Sequence, residues 1–231
     1  AGHEVVRLVR RAPKPGEIYW NPDAGEIDEA GLEGFDAVIH LAGKNIAAQR
    51  WTAAQKVGIR ESRVGATSLL ARAIANLTHP PKVVLGASAI GYYGNRPEQL
   101  LREGDGPGQG FLASVCRDWE AALDPVREKG VRTVPLRIGA VLSISGGALR
   151  KMLLPFRLGG GGVLGHGAQY MSCIGMQDVL GAILHVLSTD SLDGPVNVVG
   201  PESITNRTFT RTLGEVLGRP TLVPMPAGAA R

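Results

Sequence analysis

The sequence predicts an α/β protein with a doubly wound, mostly parallel sheet, and two observations carry that prediction. Short apolar, β-branched runs recur at "VVRLVR", "DAVIHLAG", "KVVLGAS" and "VRTVPLRIGAVLS". The second, third and fourth of these are separated by long amphipathic stretches with helical spacing. Strands alternating with helices of that length are joined by crossovers and pair in parallel, and ligands of such sheets bind beyond the carboxyl ends of the strands. A chain of 231 residues suffices for one large domain, or for a domain with a smaller lobe.

Glu4 to Arg10 alternates and is rich in valine, which makes it the first strand, broken by the Pro- and Gly-containing stretch Ala12 to Gly16. "EIYWN" reads as a short strand or a loop, and "IDEAGLEGF" as a polar turn with a brief helix leading into "DAVIHLAG". From Thr52 to Ala75, apolar residues at Val57, Ile59, Val64, Leu69, Leu70, Ala73 and Ile74 follow a helical period. Two prolines close that helix ahead of "PPKVVLGAS". A further amphipathic helix over "GQGFLASVCRDWEAALDPVREKG" stops at Gly130, and "VRTVPLRIGAVLS" is the fourth clear strand. After about Ser143 the alternation weakens. An apolar helix around Gln177 to Ser188, the run "GPVNVVGPES" and a last helix over "TNRTFTRTLGEVLG" predict a smaller lobe. The expected division is 1–143 for a cofactor-binding domain and 144–231 for a substrate lobe that returns elements to the sheet.

Composition narrows the function. Hydrophobic residues make up 44% and charged residues 20%, and no apolar run reaches the roughly 20 residues of a membrane helix, so no membrane partner is expected. The N-terminal "AGHEVVRLVRR" lacks the layout of a signal peptide. Cys116 and Cys173 make no CxxC pair and have no His or acidic neighbours suited to a metal, so reduced thiols in a cytoplasmic protein are expected, with no metal. The net charge of +4 comes from 25 basic residues spread along the chain without interleaved aromatics, which argues against nucleic acid. A small-molecule substrate is the expected partner, with a homodimer left open.

Several strand ends offer candidate site residues. Arg10, Arg11 and Lys14 follow the first strand with no acid among them. In a dinucleotide-binding sheet an acid at the end of the second strand bonds the 2′-hydroxyl of NAD, whereas Arg accommodates the 2′-phosphate of NADP; the other reading is a solvated basic turn. "DAVIHLAG" ends on small residues, so backbone at Ala42 and Gly43 can approach a flat ligand closely, while His40 suits a satisfied core position. Arg63 lies two residues after Glu61 and is either a surface ion pair or an arginine aimed at a cofactor phosphate. The turn "GASAIGYYG" brings Ser88, Tyr92 and Tyr93 to the end of the third clear strand. In the C-terminal lobe, Phe156, Arg157 and the glycines Gly159 to Gly162 read either as a surface loop or as a lid whose Arg157 pairs with an anionic substrate.

Taken together, "GHEVVRLVRR", "DAVIHLAGKNIAAQRW", "ESRV", "ASAIGYYG", "FLASVCRDWEAA", "LRIGAVLS", "GGALRKMLLPFRLGGGG" and "TNRTFTRTLGEVLGRP" resemble an atypical branch of the extended short-chain dehydrogenase/reductase superfamily. That branch is nucleoside-diphosphate-sugar epimerase-like, and some of its members carry a cell-division-inhibitor label. The resemblance covers nearly the whole chain. It implies a Rossmann-type sheet that binds NADP(H), and hydride transfer at nicotinamide on an unknown small molecule. Carried over by position, Arg10 and Arg11 would meet the adenosine 2′-phosphate. Leu41, Ala42 and Gly43 would line the adenosine and ribose, Arg63 would reach the cofactor, and Arg137 and Ile138 would lie near the nicotinamide end. Ser88 would orient substrate, and Tyr93 would fall in the family's "YG" turn with Tyr92 as an extra ring beside substrate.

The chain also departs from that pattern. The strand and Gly-rich turn that cradle pyrophosphate in the superfamily are expected to precede "AGHEVV", and the family continues beyond "VPMPAGAAR", so the chain reads as a fragment. Leu112 and Cys116 stand where the superfamily's catalytic Tyr and Lys belong, and neither side chain replaces that acid-base pair. At "CIGMQDV", Gly175 and Gln177 replace an expected His and acid, leaving Asp178. These departures imply an alternative: a catalytically silent NADP-binding regulatory or scaffold protein.

Overall fold

The computed structural model describes residues 2–96, 98–223 and 225. The chain opens with β1 (Arg7–Val9), β2 (Glu17–Asn21) and β3 (Glu26–Ile27), in which β1 and β2 are parallel and β3 folds back on β2. "EIYWN" is thus a strand, with Ile18 and Trp20 buried on alternate positions. β4 (Ala37–His40) leads into α1 (Ala53–Arg60), a π-helical turn at Glu61–Gly65, and α2 (Ala66–Asn76). The helix predicted from Thr52 is therefore one run with a bulge inside it. Its first turn is capped by Thr52, whose hydroxyl accepts from the amide of Gln55.

β5 (Val83–Ala89) follows, then α3 (Phe111–Ala121), α4 (Asp124–Glu128) and β6 (Arg132–Ile138). The single helix expected over this stretch is divided in two, with Pro125 in the first turn of the second piece, where its missing amide costs nothing. The fourth predicted strand likewise breaks at Gly139. β7 (Ala140–Leu142) leaves the main sheet, and the amide of Ala140 donates to Ser172 O at 2.8 Å. Beyond it come α5 (Gly147–Arg157), β8 (Tyr170–Met171), β9 (Cys173–Gly175), α6 (Met176–Ser188), β10 (Val196–Val198), β11 (Ile204–Thr205) and α7 (Asn206–Leu217). β7 pairs with β9, and β8 with β11.

The main sheet runs β10-β6-β5-β4, all parallel, with Ala37 opposite Val83, Ser88 opposite Arg137 and Val198 opposite Ile138. β5 is buried on both faces, as a central parallel strand requires. Val84 points into a cluster with Leu70, Ile74, Leu123 and Val126, which also takes in Ile18 and Leu32 and so ties the three-stranded sheet to the four-stranded one. Val83 and Leu85 point the other way, onto Val134, Ile183, Val186 and Val198. Each such side chain contributes on the order of 2 kcal/mol of transfer free energy. Among the described residues no helix is long and apolar enough to cross a membrane.

Candidate functional site

The carboxyl ends of β4, β5 and β6 share one edge of the sheet, as parallel pairing demands. At the end of β5, Ser88 is 4% exposed and donates from Oγ to Glu120 Oε1 at 2.6 Å. Arg137, its neighbour in register on β6, is 3% exposed. It donates from Nε to Glu120 Oε1 and from Nη2 to Oε2, both at 2.9 Å, a bidentate fork. From Nη1 it reaches the Tyr93 hydroxyl at 2.9 Å and the carbonyl of Glu103 at 3.0 Å. The Tyr93 hydroxyl in turn donates to Asn197 Oδ1 at 2.7 Å, and the amide of Asn197 donates to Glu103 Oε1 at 2.9 Å. The Arg137 guanidinium stands over the Tyr92 ring, 3.6 Å from Cζ to centroid. Burial opposes the charge on Arg137, but the hydrogen bonds to Glu120 and Tyr93 outweigh it and hold the group above its ordinary range.

A second cluster sits beside this one at the end of β4. Leu41 is 53% exposed there, followed by half-buried Ala42 and exposed Gly43. Arg63, carried by the π-helical turn, donates from Nη1 to Lys44 O at 3.0 Å and Ile59 O at 3.3 Å, and its guanidinium stands 5.1 Å from the Trp119 ring centroid. Inserted π turns recur at functional sites because they redirect one side chain without ending the helix. A Cβ on Gly43 would lie 3.2 Å from Arg63 Cζ, so the guanidinium occupies the space that a side chain would fill. Burial lowers the Arg63 pKa, the nearby Cys116 sulfur opposes that shift, and no carboxylate acts on the group among the described residues. Burial, reinforced by Glu120, pushes the Cys116 thiol up to about 11, which makes it an inert packing residue at neutral pH.

The structure therefore joins Ser88, Tyr92, Tyr93 and Arg137 in one network and sets Gly43, Arg63 and Cys116 in another. It leaves Arg10, Arg11 and Arg157 outside both. Arg10 pairs with Asp23 at 3.0 Å and Arg11 with Glu17 at 2.6 Å, all at the exposed end of β1 and β2 except the more sheltered Glu17. Ile138 packs half-buried at the end of β6. Arg157 is exposed at the end of α5, a helix the sequence reading did not predict, while Phe156 is buried with Gly161 packed against its ring. Sequence reasoning missed Glu120, Glu103 and Asn197. One signal was available for the first: Leu112, Cys116 and Glu120 are spaced by four, so the carboxylate shares the α3 face that carries the departed Tyr-Lys positions. Among the described residues no group of three His, Cys, Asp or Glu side chains could hold a metal ion.

No protein-family model matches the chain. It is 44% identical over 232 residues to the epimerase family protein Mb2239 of Mycobacterium bovis, with all of this chain and 76% of the relative covered. It is 38% identical over 235 residues to the epimerase family protein SDR39U1 of Homo sapiens, covering 78% of it. Among solved structures, human SDR39U1 (isoform 2) crystallised with NADPH superposes with a TM-score of 0.88 at 36% identity, over 99% of this chain and 76% of that one. A nucleoside-diphosphate sugar epimerase from Corynebacterium glutamicum superposes with a TM-score of 0.81 at 35% identity, over 98% of this chain and 48% of that one.

Proposed function

Because the chain belongs to the epimerase family, an atypical branch of the extended short-chain dehydrogenases/reductases, we propose that it binds NADP(H) along the carboxyl edge of its main sheet and is a cytoplasmic oxidoreductase acting on a small molecule. The observation that carries this reading is Arg63: a half-buried guanidinium with no carboxylate partner among the described residues, pressed against the bare backbone of Gly43. An unneutralised cation beside an open ledge fits a phosphate-bearing, flat-ringed ligand.

In this reading Leu41, Ala42 and Gly43 take the adenosine side, and Arg63 meets the cofactor's charge. Arg10 and Arg11 exchange the exposed Asp23 and the more sheltered Glu17 for a 2′-phosphate, at small cost for the Arg10–Asp23 pair because surface ion pairs are weak. When bound, the nicotinamide supplies hydride exchange. Arg137, with Ile138 beside it, holds the floor of that end of the site, and the Tyr92 ring on it offers a face and a hydroxyl to substrate. Ser88 spends its proton on Glu120, so toward substrate it presents only acceptor capacity.

A second reading, a catalytically silent NADP-binding regulatory protein, is favoured by one observation. Tyr93 is 3% exposed, with its hydroxyl accepting from Arg137 and donating to Asn197, which leaves it no proton to exchange with substrate.

Calorimetric titration of NADPH and NADH into the protein, into Arg63→Met and into Arg10→Ala/Arg11→Ala tests the binding. Tight NADPH binding with poor NADH binding, weakened tenfold or more in both variants, is expected; a folded protein that binds neither nucleotide overturns both readings. NADPH turnover over a panel of carbonyl compounds and nucleotide sugars then separates enzyme from silent binder. Saturable turnover lost in Ser88→Ala or Tyr92→Phe is the enzyme's signature.

A further inference from the structure

Between the end of β5 and the start of α3, the stretch 98–107 crosses the carboxyl ends of β6 and β10, and its hydrogen bonds fall into two kinds. Most are internal. At its base the amide of Gly108 donates to Tyr92 O at 2.9 Å, and Gly108 approaches Tyr93 O so closely that any Cβ there would collide with it. Above the base, Arg96 Nη2 donates to Gly106 O at 2.9 Å and Pro107 O at 3.2 Å. At the tip the amide of Arg102 donates to Asp105 Oδ2 at 2.7 Å, and the amide of Asp105 to Arg102 O at 3.0 Å. A loop whose ends meet and whose interior is tied to itself keeps its shape independently of what it covers.

The hydrogen bonds to the body of the protein are of another kind. Among the described residues 98–107 they run through one exposed residue, Glu103: its carboxylate accepts from the amide of Asn197 on the edge strand β10, and its carbonyl accepts from Arg137. Each is charge-assisted, one by the carboxylate and one by the guanidinium, so the pair makes a firm closure from a single side chain and its own backbone. Tyr93 and Asn197 continue the same chain of bonds beneath it.

We infer that residues 98–107 form a strap that swings as a unit on the base at Tyr92 and Gly108, latched over the substrate end of the site by Glu103. Lifting it frees one N–H of Arg137 and the amide of Asn197 at the ends of adjacent strands. Leaving a buried guanidinium N–H unpaired is costly, so the open state is favoured by a ligand that brings two acceptor oxygens to replace those of Glu103. What passes beneath the strap rests on the function proposed above; the motion itself does not.

Hydrogen exchange of individual amides, followed by NMR without nucleotide on the wild type, Glu103→Ala and Glu103→Gln, tests the latch. In Glu103→Ala the Asn197 amide is expected to exchange at least tenfold faster, while the Gly108 amide at the base keeps its protection. Glu103→Gln, which retains an acceptor oxygen, is expected to stay within threefold of wild type. An Asn197 amide unchanged in Glu103→Ala overturns the latch. Joint loss of protection at Asn197 and Gly108 overturns the hinged strap, because the loop then melts from its base. Neither outcome depends on whether NADPH binds, which the titrations decide separately.

Discussion

The Arg137 guanidinium and the Glu120 carboxylate meet in a bidentate pair, 2.9 Å at each contact, with Arg137 almost wholly withdrawn from solvent. Desolvating two charges costs several kcal/mol, and the fork together with the Ser88 and Tyr93 bonds must offset it. Removing one partner leaves the other buried and unpaired. Glu120→Ala is therefore expected to lower stability by about 3–5 kcal/mol, whereas the double variant Arg137→Met/Glu120→Leu, which removes both charges, is expected to lose less. Urea denaturation midpoints of the two variants measure the difference; a double variant that loses as much as Glu120→Ala or more would mean that an unpaired Arg137 carries no penalty of its own.

His40 carries a pH dependence of its own. It is 4% exposed, its Nε2 lies 3.0 Å from Thr67 Oγ1, and that hydroxyl also accepts from Trp119 Nε1 at 2.8 Å, an arrangement suited to a neutral ring that accepts the threonine proton. Burial lowers its pKa to about 4. Below pH 6.5 the unfolded chain takes up a proton that the folded chain refuses, so this contribution is full above about 6.5 and falls as the pH drops toward 4, by about 3 kcal/mol in all. His40→Gln is expected to flatten the stability profile between those limits, measured as urea midpoint against pH, and to leave the carboxylate-driven loss at lower pH.

The parts of the fold legible in the sequence were those where one local signal dominates. β4 and β5 are β-branched runs, β5 buried on both faces and β4 on the face that carries Val38 and His40, and α6 and α7 are apolar periods with clear ends, α7 stopping at Gly218 in the left-handed conformation. α5 was hidden because Pro155 and flanking glycines outweigh the spacing of Leu149, Met152, Leu153 and Phe156, and only tertiary packing of Phe156 settles it. The bulge at Glu61–Gly65 adds residues without changing composition. The site was legible by strand end but not by partner. Ser88, Tyr92, Tyr93 and Arg137 were each picked out, yet Glu120 reads in sequence as one more carboxylate on a charged helix. Its place beneath Ser88 depends on the register that sets Ser88 opposite Arg137.

Cys116 is buried on α3, and its chemistry is expected to be that of a core residue. With the thiol pushed up to about 11, its thiolate fraction at pH 8 is on the order of 0.1%, against about a quarter for an ordinary cysteine. Iodoacetamide labelling at pH 8, read by peptide mass spectrometry, is expected to be roughly 100-fold or more slower at Cys116 in the native protein than in urea. Labelling at the unfolded rate would mean that the thiol is solvated and ionised beside Arg63, and would return Cys116 to the site as a nucleophile.

Gly43 and Arg63 supply the most direct separation of binding from stability. Gly43 is not in a left-handed conformation, and the atoms nearest a new Cβ belong to the end of a flexible side chain, at 3.2–3.5 Å. Gly43→Ala is therefore expected to change stability by no more than about 0.5 kcal/mol. Its effect on a ligand is larger for two reasons: the methyl group fills the ledge along which backbone approaches the ligand, and it displaces the guanidinium. NADPH affinity is expected to fall at least tenfold. Arg63→Lys keeps the charge but loses the planar fork and its stacking on Trp119, so it too is expected to bind weakly. If both act through the same guanidinium, Gly43→Ala/Arg63→Lys will bind no worse than the weaker single variant, whereas additive losses in calorimetric titration would assign the glycine and the arginine to separate parts of the ligand.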